Sequence, residues 1–256
     1  MRARTWFFPY GRHSREVSDE TEGQAGGRTI RAGVFAKLPQ AGQVKTRLSP
    51  ILGAKGAAEF ARALLDDAVG RLCGAPSEGV SGELVFTPAE ERDWFTRTYP
   101  SATLRAQVGA GLAERLESWF ETVLRSQPAP FASAIGSDSP WTSRARVAAA
   151  AQLLGAGADV VLGPDLGGGY YLVALARPVP GLFTAIQMST RTMFEETCDW
   201  VRARGFQLGL LEADYDVDDA ADWERLVNDL QQERASPGHE PAAVQAFVRG
   251  WLARNA

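Results

Sequence analysis

The residue types best suited to chemistry first gather in the segment Phe35-Ala-Lys-Leu-Pro-Gln-Ala-Gly-Gln-Val-Lys-Thr-Arg-Leu48. Lys37, Lys45 and Arg47 supply positive charge, Pro39 and Gly42 shape a tight turn, and Thr46 adds a hydroxyl. An apolar stretch precedes this loop and a helical pattern follows it. Backbone N–H groups at such a strand-to-helix junction favour an anion, and the cations add charge-assisted bonds to phosphate oxygens. The spacing GxxxxGK[ST] is absent, so this is not a Walker loop. A solvated basic loop would carry the same residues, and the company the loop keeps has to decide between the two.

That company is a series of aspartates. In Ile135-Gly-Ser-Asp-Ser-Pro140, Asp138 suits an Mg²⁺ or Mn²⁺ ion that also holds diphosphate oxygens; capping of a helix by Ser137, Asp138 or Ser139 is the alternative. In Leu162-Gly-Pro-Asp-Leu-Gly-Gly-Gly-Tyr-Tyr-Leu172, the successive glycines let a backbone approach a ligand closely, with Asp165 beside them. Gly168, Gly169 and Tyr170 are assigned here to substrate binding; a glycine-rich connection with core tyrosines is the alternative. In Asp214-Tyr-Asp-Val-Asp-Asp219, Asp216 and Asp218 share one face of an extended chain and can complete a metal site, although Asp218 or Asp219 could equally cap the next helix. Asp165 and Asp216 are the candidate bases, and Asp138 and Asp218 the candidate metal ligands. The hydroxyls of Ser189 and Thr190 either cap a helix or bind an acceptor.

These segments need a scaffold that brings strand ends together. Apolar runs at Thr29–Ala36, Glu83–Thr87, Phe131–Ile135, Asp159–Leu162, Tyr170–Leu175 and Phe206–Leu211 read as strands. Helical periodicity covers Ala54–Leu72, Leu112–Leu124, Ser143–Leu154, Thr190–Arg204, Asp219–Leu230 and Ala242–Leu252. Alternating strands and helices predict a largely parallel sheet covered on both faces, with ligands at the carboxyl ends of its strands.

Composition narrows the function classes. The chain has 256 residues, 45% hydrophobic and 23% charged, as ordinary globular proteins have. A formal net charge of -4 excludes the broad basic surface of a nucleic-acid wrapper. Cys73 and Cys198 lack metal-ligand spacing and read as reduced thiols, while His13 and His239 lie in polar terminal segments. No run approaches the ~20 apolar residues that span a bilayer, and no signal-peptide pattern is present. A cytoplasmic protein without a membrane partner is expected. Residues 1–28 read as a flexible extension, 29–234 as the domain, and 235–256 as a tail with a helix.

Taken in order, FAKLPQAGQVKTRLSPILG, IGSDSP, VLGPDLGGGYYLVAL, the ST of QMST and DYDVDDAADW resemble the GT-A-like glycosyltransferase family of domain of unknown function 2064, named elsewhere for arsenosugar biosynthesis or for radical-SAM/selenoprotein gene neighbours. The resemblance covers roughly residues 29–230. It implies an α/β, single three-layer GT-A (Rossmann-like) nucleotide-diphospho-sugar transferase fold with a mostly parallel central sheet. It also implies that Lys37, Lys45 and Arg47, with Gly42 and Thr46, hold a nucleotide diphosphate and that Asp138 ligates a divalent metal, Mg²⁺ or Mn²⁺. Asp216 and Asp218 match the family's DVD element. Two positions depart: Gly167 stands where relatives read the aspartate of DGGYYL, and Gly111 where they read that of GxDLGxRM.

The expected activity is metal-dependent transfer of a sugar from a nucleotide-diphospho-sugar to a small-molecule acceptor. Two alternatives stand beside it. The first motif also looks like the start of deazaflavin-pathway guanylyltransferases, which implies nucleotidylyl transfer from an NTP to a phosphorylated small acid. The Gly111 and Gly167 departures suggest a catalytically inactive nucleotide-binding scaffold. A homodimer is left open.

Overall fold

The computed structural model describes residues 29–126, 130–232 and 241–255. The extension expected over residues 1–28, with His13, and most of the loop expected before the last helix, with His239, lie outside the described residues.

Seven strands form one sheet: β1 (Ile30–Lys37), β2 (Val80–Thr87), β3 (Leu104–Ala106), β4 (Phe131–Gly136), β5 (Val160–Pro164), β6 (Tyr170–Leu175) and β7 (Leu208–Leu210). Their order is β3-β2-β1-β4-β6-β5-β7. All neighbours run parallel except β6, which is antiparallel to both β4 and β5. The helices are α1 (Ser49–Leu72), α2 (Arg92–Thr98), α3 (Leu112–Leu124), α4 (Arg144–Gly155), α5 (Met193–Ala203), α6 (Ala220–Gln231) and α7 (Ala242–Asn255). The fold is the α/β, mostly parallel, three-layer architecture that the alternating pattern predicts.

Alternation along the central strands feeds two cores. Ile30, Ala32, Val34 and Ala36 of β1 face the layer of α1, α2 and α4, where Leu65, Phe95 and Val147 pack. On the opposite face Trp119 and Phe120 of α3 and Val201 of α5 cover the sheet. Gly33 makes that packing possible, because a Cβ there would fall 2.5 Å from the Trp119 ring. A third cluster joins the outer face of α1 to α6 and α7 through Phe60, Trp223 and Val248. Asp67 of α1 ties α7 down by accepting hydrogen bonds from the backbone N–H groups of Ala243 and Val244.

The regular part of α1 begins where periodicity placed it. Residues 49–52 turn helically, but Gly53 breaks the run at φ 71, ψ 162, and the continuous helix follows. Cys73 and Cys198 are buried and unpaired, and burial raises the Cys73 thiol to about 12. Among the described residues no helix is long and apolar enough to cross a membrane.

Candidate active site

β1, β4 and β5 all end at one edge of the sheet, and antiparallel β6 begins there. The loops after them, joined by the segment after β7, enclose a cleft of about 1190 Å³. Lys37, Lys45, Thr46, Arg47, Asp138, Asp165, Gly169, Tyr170, Ser189, Thr190, Asp216 and Asp218 all line it. Gly42 and Gly168, also expected at the site, do not.

At the centre of the cleft is an ammonium held by carboxylates. Lys45 Nζ lies 2.8 Å from Asp138 Oδ1 and 2.6 Å from Asp218 Oδ1. The lysine side chain is only 5% exposed, whereas Asp138 and Asp218 are 43% and 51% exposed. Burial acts to lower the Lys45 pKa, but the two carboxylates hold it up, at about 12. Asp216 is set deeper. Its Oδ1 is buried and has no hydrogen-bond partner. Burial first, then the charges of Asp138 and Asp165, push its carboxyl well above the usual carboxylate range. Asp165 Oδ1 accepts from the Asp216 backbone N–H at 3.1 Å, and its Oδ2 accepts from the Gly167 N–H at 2.9 Å. Burial raises its pKa against those two hydrogen bonds.

Neither candidate ligand caps a helix. Helix α4 begins beyond IGSDSP, and its cap is Ser143, whose hydroxyl accepts from the Arg146 N–H. Asp138 is therefore free of capping duty, and its own carbonyl accepts from the Val217 N–H, tying two site loops together. Buried Arg71 braces the same loop by donating to the Pro140 carbonyl at 2.7 Å. Helix α6 is capped by Asp219, which forms a reciprocal capping box with Asp222. Asp218, one residue earlier, is left to Lys45.

The donor set fits a divalent ion of the Mg²⁺ or Mn²⁺ kind: Asp138, Asp216 and Asp218 offer only hard carboxylate oxygens, one of them buried and unpartnered. Among the described residues, however, no three acidic, His or Cys side chains already stand as a coordination shell. Lys45 occupies the space between two of them.

The cation loop divides its labour. Gly42, at φ 76, makes the turn, and Lys37 Nζ donates across it to the Gln43 carbonyl at 3.1 Å. Lys45, at φ 47, leads into a 3₁₀ turn over Thr46–Leu48, which buried Leu48 anchors to the core. Thr46 and Arg47 remain exposed on the cleft.

On the other side of the cleft Gly168, Thr190 and Tyr170 are each fixed by contacts of their own. Gly168 packs closely against backbone: at φ 97, a Cβ there would fall 2.0 Å from the Arg191 carbonyl oxygen. Its carbonyl accepts from the Phe194 N–H, fastening the loop to α5. Ser189 and Thr190 do not cap α5, which starts at Met193. Ser189 adopts a left-handed φ of 62, and the Thr190 hydroxyl donates to the Gln187 carbonyl. Tyr170 turns its hydroxyl against Thr197 of α5, and burial raises its pKa, so it offers the cleft ring surface.

Three lining residues escaped the sequence reading. Gln107 donates from Nε2 to the Ala36 and Val85 carbonyls, bridging the ends of β1 and β2. Arg115 donates to the Gly109 carbonyl and reaches the Gln107 Oε1. Arg225 of α6 lies over the Tyr215 ring, 5.1 Å from its centroid. Arg115 and Arg225 sit on amphipathic helices as ordinary surface cations would, so only the tertiary fold brings them to the cleft.

Residues 74–190 match the model of a family described as an uncharacterized protein conserved in bacteria, DUF2064. No curated protein matches the chain. A solved structure from Desulfovibrio desulfuricans G20, provisionally named a nucleotide-diphospho-sugar transferase, is similar with TM-score 0.75 and 24% identity, over 87% of this chain and 97% of that one. A cytidylyltransferase from Leptospira borgpetersenii serovar Hardjo-bovis has TM-score 0.53 and 10% identity, over 88% and 96%. A nucleotidyl transferase from Methanothermobacter has TM-score 0.53 and 15% identity, over 81% and 100%. At these identities the shared property is the fold.

Proposed function

For this chain, whose ordered motifs resemble the DUF2064 family and whose residues 74–190 match that family's model, we propose a transferase that uses a nucleotide-activated donor, and specifically a metal-dependent glycosyltransferase acting on a nucleotide-diphospho-sugar and a small-molecule acceptor. One observation carries this reading: the Lys37–Arg47 cation loop and the carboxylates of Asp138, Asp216 and Asp218 line one cleft at the strand ends.

In this reading Arg47 and Lys37 draw in the diphosphate, and the N–H groups around Thr46 complete its cradle. Asp138, Asp216 and Asp218 would hold a divalent ion, whose charge stabilises the departing nucleoside diphosphate. Asp165 is the better placed base. Its half-buried carboxyl lines the cleft, with a pKa raised by burial that suits proton transfer. Asp216 is better suited to the metal than to proton transfer, because its deep burial beside other carboxylates favours a cation partner.

A screen of nucleotides and nucleotide-sugars by thermal shift, with and without Mn²⁺, tests the reading, since a ligand of the folded state raises the unfolding temperature. A nucleoside diphosphate or nucleotide-sugar that stabilises only with Mn²⁺ is the expected result; indifference to every nucleotide would remove it. Nucleotidylyl transfer is the second reading, supported by the fold shared with the cytidylyltransferase and the nucleotidyl transferase and by a cation loop that suits a triphosphate equally. Release of pyrophosphate rather than a nucleoside diphosphate would select it. Binding without turnover of any donor would select the inactive scaffold.

A further inference from the structure

Lys45 was expected on phosphate, yet its ammonium bridges the two carboxylates expected on metal, at 2.8 and 2.6 Å. A divalent ion bound by the same oxygens at the usual distance of about 2.0–2.2 Å would overlap the volume of that ammonium. Two cations packed so closely repel strongly in a site of reduced dielectric, so one must leave.

The backbone here is constrained, whereas the ammonium at the end of the side chain is held by two partly exposed carboxylates. Lys45 has a left-handed backbone, φ 47 and ψ 39, at the mouth of the Thr46–Leu48 turn, and Leu48 beneath it is fully buried. The lysine stem has four rotatable carbons and no fixed hydrogen-bonding plane. Its ammonium can therefore move several ångströms while the loop stays in place. Arg47, two residues on, lines the same cleft.

We propose that Lys45 and a divalent ion are exchangeable occupants of the Asp138–Asp218 seat. Lys45 holds the two loops together across the cleft; metal entry displaces its ammonium, which passes to the diphosphate. The inference rests on the metal-dependent reading above and adds a consequence to it. Metal alone must break two ion pairs and binds weakly, whereas a diphosphate gives the released ammonium a new partner. Metal and diphosphate therefore bind with a positive coupling that runs through Lys45.

The test is Mn²⁺ binding, followed by the electron paramagnetic resonance of the free ion, in wild-type protein and in Lys45→Met, with and without inorganic pyrophosphate. Lys45→Met is expected to bind Mn²⁺ alone about tenfold tighter or more, because the competing cation is gone. Pyrophosphate should raise the Mn²⁺ affinity of the wild type by a larger factor than that of the variant. If Lys45→Met binds Mn²⁺ alone no tighter than wild type, the exchange is wrong while the metal reading stands. If neither protein binds Mn²⁺ under either condition, both fail. Should the variant not fold, wild-type protein still decides the matter by acetic anhydride labelling read by mass spectrometry. Lys45 should be protected without metal and acylated several-fold faster in saturating Mn²⁺; an unchanged rate overturns the exchange.

Discussion

The Asp165 carboxylate lies directly over Gly167. Its Oδ2 accepts the Gly167 N–H at 2.9 Å and stands 2.6 Å from the point that a Cβ on that glycine would occupy. The turn thus has room for one carboxylate, which position 165 or position 167 can supply but not both in these conformations. The glycine at 167 leaves the Asp165 carboxylate the room it occupies.

Asp165→Ala should therefore lower transfer activity by at least about a hundredfold if Asp165 is the base. Gly167→Asp alone should also be damaging, through crowding of the two carboxylates. The double variant Asp165→Ala/Gly167→Asp should recover part of the loss, since Gly167 has no positive φ to exclude a side chain. A double variant no better than Asp165→Ala would detach the two positions.

Asp138→Ala should abolish Mn²⁺-dependent nucleotide binding while leaving the unfolding temperature within a few degrees of wild type. Asp138 caps no helix, its side chain is 43% exposed, and Asp218 remains to pair the buried Lys45 ammonium, so the fold should hold. Undiminished Mn²⁺-dependent binding in that variant would take Asp138 out of the metal role.

Which parts of this molecule were legible in the sequence depends on range. Tyr170–Leu175 and Leu112–Leu124 have the bounds that periodicity predicted, because their apolar patterns are complete within each segment. Helix α2 and strand β3 went unread: at seven and three residues, both are shorter than the window over which a period shows. The reversal of β6 was equally invisible, since a buried strand has the same residue pattern in either direction. At the site, motif order indicated which loops would meet but not which charges would pair. Lys45 and Asp218 are 173 residues apart, and nothing local to either distinguishes a phosphate ligand from an ion-pair partner.

Arg47→Ala should weaken nucleotide diphosphate binding by about 1–3 kcal/mol, the range of one charge-assisted hydrogen bond. Arg47 is exposed on the cleft and takes part in no ion pair within 4 Å among the described residues, so the loss should appear in ligand affinity and not in stability. Isothermal titration with the nucleotide found by the thermal screen measures it. Unchanged affinity would return the arginine to a solvated surface role.

Gly111 stands at a helix end where an aspartate could serve as a cap. It is the N-cap of α3, with extended φ/ψ of −122 and 174 and no side-chain cap, and a Cβ on it would meet nothing within 4 Å. An aspartate fits that backbone and that space, and its carboxylate could accept from the first-turn N–H groups and favour the positive end of the helix. In its absence Glu114 reaches back to accept from the Ala110 N–H at 2.7 Å, which satisfies only the approach to the helix. Gly111→Asp should therefore raise stability by a few tenths to about 1 kcal/mol, since glycine is itself a tolerable cap. Urea unfolding measures that gain, and turnover should stay within about twofold of wild type because the change acts on a helix end. A large rise in turnover instead would place position 111 in the chemistry, and the glycine there would then be a loss of function rather than of a cap.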